Sequence, residues 1–460
     1  MIVRRLAAIA VLVMAPASIA GAQSTQGSDP FHGSVPAGEV SAAPLRLTLK
    51  DVITRGLQHN LGLLLQDEAA RAAHGARWRA LSDLLPQVSG AAGERRQVIN
   101  LEAFGFPAPD PIVGPFNVFD ARISVSQPLL DLAALNDARA ATRHERAALL
   151  GIRSARELVV LVSVNLYLEA VTAGSRVEVA RAQLATAETL LTQASNLKAS
   201  GLVAGIDVVR AQAQVQAQRH RLSVTENDLE KARLRLARAI GLPLGQAITL
   251  EDAMPYAPMA SVSAETALAE ALARRPDFLA AAERLAAAEA TARAASAERL
   301  PSLHLDADYG VIGQQASNAH ATYTIAATVR VPVFEGGRVH GRRSEAEAGV
   351  RQRRAEYEDF KGRIDLEVRT ALLDVRAAAQ QIEVADIAVT LAAQELDQAR
   401  DRFAAGVAGN IEVVRAQESV AAAAETRIAA LYHHNVAKAM LARAIGIAEQ
   451  AVSNTQTGAK

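Results

Sequence analysis

The chain repeats itself over most of its 460 residues, and this duplication limits the folds that it can adopt. Residues 48–86 align with residues 263–301 without a gap, at an offset of 215. Two identical strings then recur at an offset of 205: Val-Val-Arg-Ala-Gln (208–212 and 413–417) and Leu-Ala-Arg-Ala-Ile-Gly (236–241 and 441–446). Identical strings at one offset rarely arise by chance, so the sequence predicts two structural repeats of one design.

Each repeat contains two segments in which apolar and polar residues alternate. Pro128 to Asp131 correspond to Pro332 to Glu335 at an offset of 204, and alternating segments lie before both prolines. A period of two is typical of a β-strand with one apolar and one polar face. We expect strands at about 87–97, 117–128, 302–312 and 321–332. Ten residues suffice to cross a membrane at a tilt, although the strand pattern alone favours a periplasmic sheet with one wet face.

A very long helix is predicted after the second strand of each repeat. No proline occurs from about 131 to 198, and apolar residues follow a strict 4-3 spacing, which imposes a left-handed supercoil. The spaced residues are Leu166, Ala170, Ala173, Val177, Ala180, Leu184, Ala187, Leu191 and Ala194, with equivalents 205 positions later. About 67 helical residues make a rod of roughly 100 Å, which is too long for a globular core.

Shorter helices should flank this rod. We expect one helix from Thr48, an N-cap with Asp51 three residues on, to Leu85 before Pro86, and its equivalent in the second repeat. Residues 206–240 form another. Each is about half as long as the rod, so two placed end to end cover it.

The same patterns divide the chain into segments. A charged start and a short apolar run ending in Ala20-Gly21-Ala22 predict a cleavable signal peptide over 1–22. The other expected segments are a flexible lead (23–44), the first repeat (45–241), a linker (242–262), the second repeat (263–446) and a flexible tail (447–460). Beyond the signal peptide, no run of about 18 apolar residues predicts a membrane-crossing helix.

Composition excludes several classes of function. The 49 basic and 49 acidic residues leave no net charge, which disfavours nucleic acid as a partner. The absence of cysteine excludes disulfides, thiolate catalysis and the lipid-bearing cysteine of a lipoprotein. Neither a nucleophile elbow nor a phosphate-binding loop occurs, and His433-His434 lacks the spacing of a metal site. We therefore expect no enzyme, no cofactor and no metal.

Four strands are too few to close a barrel. An open edge in lipid leaves unpaired backbone groups that cost several kcal/mol each. If the strands cross a membrane, several copies must share one barrel, and three copies would supply twelve strands.

Four motifs resemble the TolC-type outer-membrane efflux proteins over about residues 45–447. They are the helix openings at 48–52 and 266–276, the strand-to-helix junction at 332–338, and tip turns beginning at Gly201 and Arg402. The resemblance implies a mainly α fold with a small β part: a homotrimer with a helical tunnel capped by a shared barrel in the outer membrane. It also implies a passive duct for substrates handed over by a periplasmic adaptor and an inner-membrane transporter. A soluble periplasmic coiled-coil scaffold or adaptor is the alternative.

The resemblance assigns roles to particular residues. Asp207 and Glu412 follow the tip turns and would line the periplasmic mouth, although an acid in the first turn of a helix also complements the dipole. Ala408 stands where members of the family often carry a basic residue that latches the mouth. The remaining assignments are the tip turns with adaptor docking (Gly201, Leu202, Val203, Gly205, Arg402, Phe403, Gly406, Val407) and the strand-to-helix junction (Pro128, Pro332, Phe334, Gly336, Gly337).

Overall fold

The computed structural model describes residues 29–107, 109–201, 203–251, 254, 256–259, 262–405, 407 and 409–450. The predicted signal peptide and the end of the predicted tail lie outside these residues. The described chain is mainly helical, with the same order of elements in both halves. Its helices are α1 (Leu49–His59), α2 (Leu61–Ser82), α3 (Leu132–Ala199), α4 (Gly205–Ala239), α5 (Ala264–Arg274), α6 (Pro276–Ala297), α7 (Arg338–Ala404) and α8 (Asn410–Ile445).

The strands form two sheets. A parallel pair joins β1 to β4, and the larger sheet is antiparallel in the order β2-β3-β5-β6. The strands are β1 (Leu45–Leu47), β2 (Gln87–Asn100), β3 (Ile112–Leu130), β4 (Ile248–Leu250), β5 (Ser302–Gly313) and β6 (His320–Arg330). β2 and β3 extend beyond the expected bounds, so the loop between them is shorter than predicted. β6 ends before Pro332, which has no N–H to donate.

The long helices form the axis of the molecule. α3 has 68 residues and α7 has 67, so each is about 100 Å long. α3 packs against α2 and α6 in the half near the larger sheet, and against α4 and α8 in the other half. α7 packs against α6 and then α8. Two hydrophobic clusters lie at equivalent repeat positions, one containing Val52, Tyr167, Leu236 and Ile240, the other Ala267, Leu372, Leu441 and Ile445.

The predicted opening helices are each broken in two, which corrects the single helix expected from residue 48 to 85. Thr48 and Asp51 do form the predicted capping box. Asn60 then adopts an extended backbone and caps α2, its side-chain oxygen accepting from the N–H of Gly62 at 2.9 Å. At the equivalent position Arg275 is also extended, because a following proline disfavours helical geometry.

The described residues of the predicted lead form hydrogen bonds with other parts of the chain. The N–H of Val35 donates to His59 O and that of Ala37 to Gly241 O, both at 3.0 Å, and Ser41 N–H donates to Gln246 Oε1 at 2.7 Å. These bonds run to residues distant in sequence, so local composition did not reveal them. The start of the predicted tail is also held, since Ala448 N–H donates to Glu157 Oε2 at 2.6 Å.

One stretch of α3 is apolar enough, by length and composition alone, to cross a membrane. More than half of it is buried within the protein (56%). Val159, Val160, Leu166 and Tyr167 lie in this part of α3 and are buried. Packing between helices therefore accounts for its hydropathy.

Candidate functional site

The first tip turn joins α3 to α4 and positions Asp207. Gly201 has a φ of +75°, a left-handed conformation that suits glycine, and its N–H donates to Lys198 O at 3.0 Å. Gly205 is the first residue of α4 and does not have a positive φ, so it does not supply a left-handed conformation to the turn. Asp207 lies in the first turn of α4, with Oδ1 3.6 Å from Nη1 of Arg210. Leu202 lies outside the described residues.

The second tip turn joins α7 to α8 and is closed by an ion pair. The N–H of Val407 donates to Arg402 O at 3.0 Å, and that of Glu412 donates to Gly409 O at 3.1 Å. Arg402 Nε lies 3.1 Å from Glu412 Oε1, so the pair ties the end of α7 to the start of α8. Gly406 and Ala408 lie outside the described residues.

Each predicted mouth acid therefore has an arginine beside it in its own chain. Both acids lie in the first turn of a helix, where the dipole favours negative charge. Both arginines are more than half exposed, so each pair contributes about 0–1 kcal/mol. Sequence spacing had not paired Asp207 with Arg210 or Glu412 with Arg402. The arginines reduce the net negative charge that these acids give the tip.

The residues predicted to dock an adaptor differ in accessibility. Phe403 is 2% exposed and packs with Leu396 and Val413 in a hydrophobic cluster at the tip. Val203 packs against the same cluster, whereas Val407 is exposed. Burial removes Phe403 from any surface that one chain presents, because its ring joins the two helices of the second hairpin. Phe403 therefore packs the interior of the tip, to which the sequence analysis assigned it as part of the turn motif.

The strand-to-helix junction lies at the opposite end of α7. Gly336 and Gly337 have φ values of +61° and +85°, and Gly337 is the N-cap of α7. These two left-handed residues turn the chain from the sheet into the helix. Phe334 is 89% exposed just before them. In the first repeat, Pro128 lies at an irregularity in the β3–β5 register instead.

A polar cavity of about 460 Å³ adjoins this junction. Arg338 lies 2.9 Å from Glu298 Oε2 and 2.5 Å from Glu335 Oε2, while Arg342 also pairs with Glu298. Burial raises the pKa of Asp137 in this cavity, although the positive charge of Arg342 opposes the shift. These ion pairs fix α7 against the end of α6.

The larger sheet has one apolar and one polar face. The exposed apolar side chains include Ile123, Tyr309, Tyr323, Ile325 and Val329. On the other face, Arg122 pairs with Asp120 and Asp308 at 2.8 Å each, and Ser126 Oγ donates to Asp306 Oδ1 at 2.6 Å. Polar side chains that bond to one another therefore line one face of the sheet, whereas exposed apolar side chains line the other face.

A group of glutamines near the tip was missed by the sequence analysis. Gln183, Gln218 and Gln417 line a cavity of about 220 Å³ between α3, α4, α7 and α8. Within the described part of the chain, four of their amide atoms are buried without a hydrogen-bond partner. Gln218 lies between Val215 and Leu222 in the 4-3 spacing of α4. A polar residue at an apolar position of this spacing is the sequence feature that could have indicated the glutamine group. The described residues contain no cluster of three or more metal-binding side chains.

The family model described as outer membrane efflux protein matches residues 55–242 and 267–447, one segment in each repeat. The chain is 26% identical over 393 residues to the pyoverdine export outer membrane protein OpmQ of Pseudomonas aeruginosa, covering 83% of this chain and 81% of the relative. The OpmQ protein of Pseudomonas putida is 26% identical over 348 residues, covering 74% and 72%.

A solved structure shows the same fold. The outer membrane protein VceC of Vibrio cholerae superposes with a TM-score of 0.77 at 21% sequence identity. The match covers 86% of this chain and 96% of that one. The long helices, their flanking half-length helices and the small sheet thus occur together in a known protein.

Proposed function

This chain belongs to the outer membrane efflux protein family, and from that premise we propose that three copies form one exit duct. It is an outer-membrane efflux channel. In the proposed assembly, the larger sheets of three chains close a twelve-stranded barrel in the outer membrane. The helices continue it as a tunnel into the periplasm, and substrate passes through without chemical change.

The observation that carries the proposal is the incompleteness of the larger sheet. In the order β2-β3-β5-β6, each outer strand is paired on one side only. Unpaired backbone N–H and C=O groups in hydrocarbon cost several kcal/mol each, so such a sheet cannot cross a membrane alone. Pairing β6 of one copy with β2 of another removes both open edges.

The helices support the same arrangement. α7 carries apolar side chains that are exposed in a single chain, and their spacings of three, four, seven and eleven residues place them along one face. A stripe of this kind is costly to leave in water and is typical of an interface. We define the α7 stripe as Leu366, Leu373, Val384, Ile387 and Leu391.

The two sides of the chain that would contact other copies belong to different repeats. Strand β2 with helices α2 and α4 comes from the first repeat, and strand β6 with helix α7 comes from the second. Contact between unlike sides is head-to-tail, and such contacts give a ring when the rotation closes. Closure after three copies gives twelve strands, an even number within the range of known membrane barrels.

In this assembly the apolar face of the sheet meets lipid and the polar face lines the channel. The tip turns end the tunnel in the periplasm, where Asp207 and Glu412 from three copies place six acids around the mouth. We propose that a periplasmic adaptor docks at the tip turns, with Val407 as the accessible apolar contact, and that an inner-membrane transporter delivers the substrate. Family membership favours this duct over a soluble scaffold.

Mass and conductance of the purified protein test the assembly. The chain extracted from outer membranes in detergent should have the mass of three copies and give single-channel currents in planar bilayers. A monomer in the soluble fraction would refute the proposal.

The mouth assignment has a separate test. Replacing both acids, Asp207→Ala with Glu412→Ala, should raise conductance and weaken cation selectivity. The matched control is Asp228→Ala, another exposed acid of α4 that lies farther from the tip. Unchanged selectivity in the double variant would remove the mouth assignment and leave the trimer standing.

A further inference from the structure

The strand pairing within one chain specifies how two chains meet. We propose that β6 of one copy pairs antiparallel with β2 of the next copy in a single register. That register sets Val329 directly opposite Ala92 of the neighbour and brings Phe334 against the neighbour's Val88. The inference rests on the proposed trimer and goes further, because it names the residues that touch across the barrel seam.

The internal duplication is preserved in the strand registers. β2 corresponds to β5 at an offset of 215, and β3 corresponds to β6 at an offset of 204. In the first repeat Ser89 of β2 is opposite Ser124 of β3. Their equivalents, His304 and Thr328, are also opposite one another in the β5–β6 pair. The two hairpins therefore share one register, and the offsets hold through all four strands.

The pair β3–β5 then acts as a template for the seam. It joins the second strand of one repeat to the first strand of the next, which is what β6 and the neighbour's β2 must do. Val125 is opposite Ala307 in this pair, and their equivalents are Val329 and Ala92. Leu130 is opposite Leu303 after the register irregularity, and their equivalents are Phe334 and Val88.

Two properties of the proposed register agree with the structure. Residues 321–330 of β6 meet residues 100–91 of β2, so nearly the full length of β6 and most of β2 are paired. Val329 and Ala92 also belong to the same face, since Ala92 is opposite Ala121 in the first hairpin and Val329 is opposite Leu303 in the second. A slip of one residue would bring the polar face of β6 beside the apolar face of β2.

The proposed register assigns a contact to Phe334, the exposed aromatic residue of the junction. Phe334 and Val88 are both largely exposed in a single chain. In the proposed seam they cover one another at the point where the barrel ends and the tunnel begins. Glycines 336 and 337 follow immediately, so the same short segment makes the contact and turns into α7.

Disulfide trapping in this cysteine-free chain tests the register. The matched pairs are Val329→Cys with Ala92→Cys and, on the other face, Arg330→Cys with Ala91→Cys. Antiparallel positions alternate between Cα separations of about 4.5 and 5.5 Å, and both lie within disulfide range. The shifted control is Val329→Cys with Gly90→Cys, two residues out of register on the same face, where the diagonal separation is about 7–8 Å.

Within one chain, the two cysteines lie on opposite edges of the sheet, about three strand spacings or ~14 Å apart. A disulfide can therefore form only between copies. After mild oxidation, at least one matched pair should shift most of the chain to the mass of a covalent trimer on a non-reducing denaturing gel. The shifted pair should remain at one chain mass.

The outcomes separate the register from the trimer. Cross-linking of the shifted pair, or of neither matched pair, in a protein with the detergent mass of three copies overturns the register alone. A protein with the mass of one copy overturns the proposed function as well. In addition, Phe334→Ala should lower the temperature at which the trimer dissociates, and Val88→Ala should add little to that loss. Fully additive losses would refute the contact between these two residues.

Discussion

The two long helices occupy equivalent places in the two repeats, yet a single chain surrounds only one of them. α3 packs against helices of both repeats along its length, whereas α7 packs mainly against α5, α6 and α8 of its own repeat. Leu168 and Leu373 are equivalent at an offset of 205. Leu168 is 6% exposed and Leu373 is 63% exposed.

This difference shows that the second repeat retains an apolar residue at a position that the same chain leaves exposed. The core of α3 is completed by α2 and α4 of its own repeat and by α6 and α8 of the second. We infer that the corresponding neighbours of α7 are α2 and α4 of another copy. In the proposed trimer, each chain would be one third of a ring in which both long helices have equivalent surroundings.

The largest expected effect comes from charging the α7 stripe. Leu366→Glu with Leu373→Glu should abolish the trimer, since two carboxylates would be buried in an apolar seam without partners. Helix content by circular dichroism should stay unchanged, because neither side chain contributes to the core of one chain. The control, Leu366→Met with Leu373→Met, keeps the apolar volume and should assemble. A trimer of the charged variant would contradict the proposed role of α7.

The second-largest effect concerns the helix breaks at Arg275 and Asn60, which should contribute differently to stability. Arg275 is 2% exposed and pairs with Asp277 at 2.7 Å and Glu367 at 2.5 Å. Arg275→Ala should lower the free energy of unfolding by roughly 3 kcal/mol, because removal of one partner leaves partly buried acids unpaired. At the equivalent Asn60, which caps α2, Asn60→Ala should cost about 1–2 kcal/mol. Equal losses in urea titrations would show that the breaks have the same energetic basis.

The equivalent leucines should differ in the free monomer. Leu168→Ala creates a cavity in a packed core and should lower the free energy of unfolding by about 2–5 kcal/mol. Leu373→Ala should change it by no more than about 0.5 kcal/mol, as expected for a surface position. Denaturant unfolding measures both in a background that is charged elsewhere on the α7 stripe, at Leu366→Glu with Leu391→Glu, because such a background should isolate one chain and leaves residue 373 as leucine. Similar losses would mean that α7 is covered within the chain.

The pairs around Arg275 also predict a dependence on pH. Burial alone would raise the pKa of Asp277, but the hydrogen bond and charge of Arg275 outweigh it and lower the pKa below its ordinary value of 3.8. An acid with a lowered folded-state pKa stabilises the protein above its unfolded pKa, and this stabilisation is lost as pH falls through the folded value. The stability difference between the wild type and Asp277→Asn should be constant from pH 7 to 5 and shrink below pH 4. A constant difference down to pH 2 would contradict the shift.

Much of the fold follows from local spacing in the sequence. The 4-3 seams predict long helices, and the Thr48–Asp51 capping box is confirmed, because both depend on residues close along the chain. The matching family model confirms the assignment that rested on the order of motifs. The duplication contributed more than any single motif, since each segment was seen twice.

Contacts between residues that are distant in sequence could not be predicted from local spacing. No proline directly follows Asn60, so nothing local marked this helix break, which the Asn60 side chain stabilises by donating to Phe31 O. The bonds of the lead to Gly241 and Gln246 also join segments about 200 residues apart. At the tip, the family resemblance indicated both acids and Arg402, but not the pair between Arg402 and Glu412, which depends on the geometry of the turn.

The smallest expected effect concerns the two tip turns, where the repeats differ again. Arg402 joins α7 to α8 through Glu412, whereas Arg210 pairs with Asp207 within α4. Because the arginine of each pair is more than half exposed, Glu412→Gln and Asp207→Asn should each change the free energy of unfolding by less than about 1 kcal/mol. Only Glu412→Gln should increase proteolysis at the α7–α8 turn, since only that pair bridges two helices. Limited proteolysis of the trimer measures this, and equal cleavage of both variants would show that the bridge does not hold the turn.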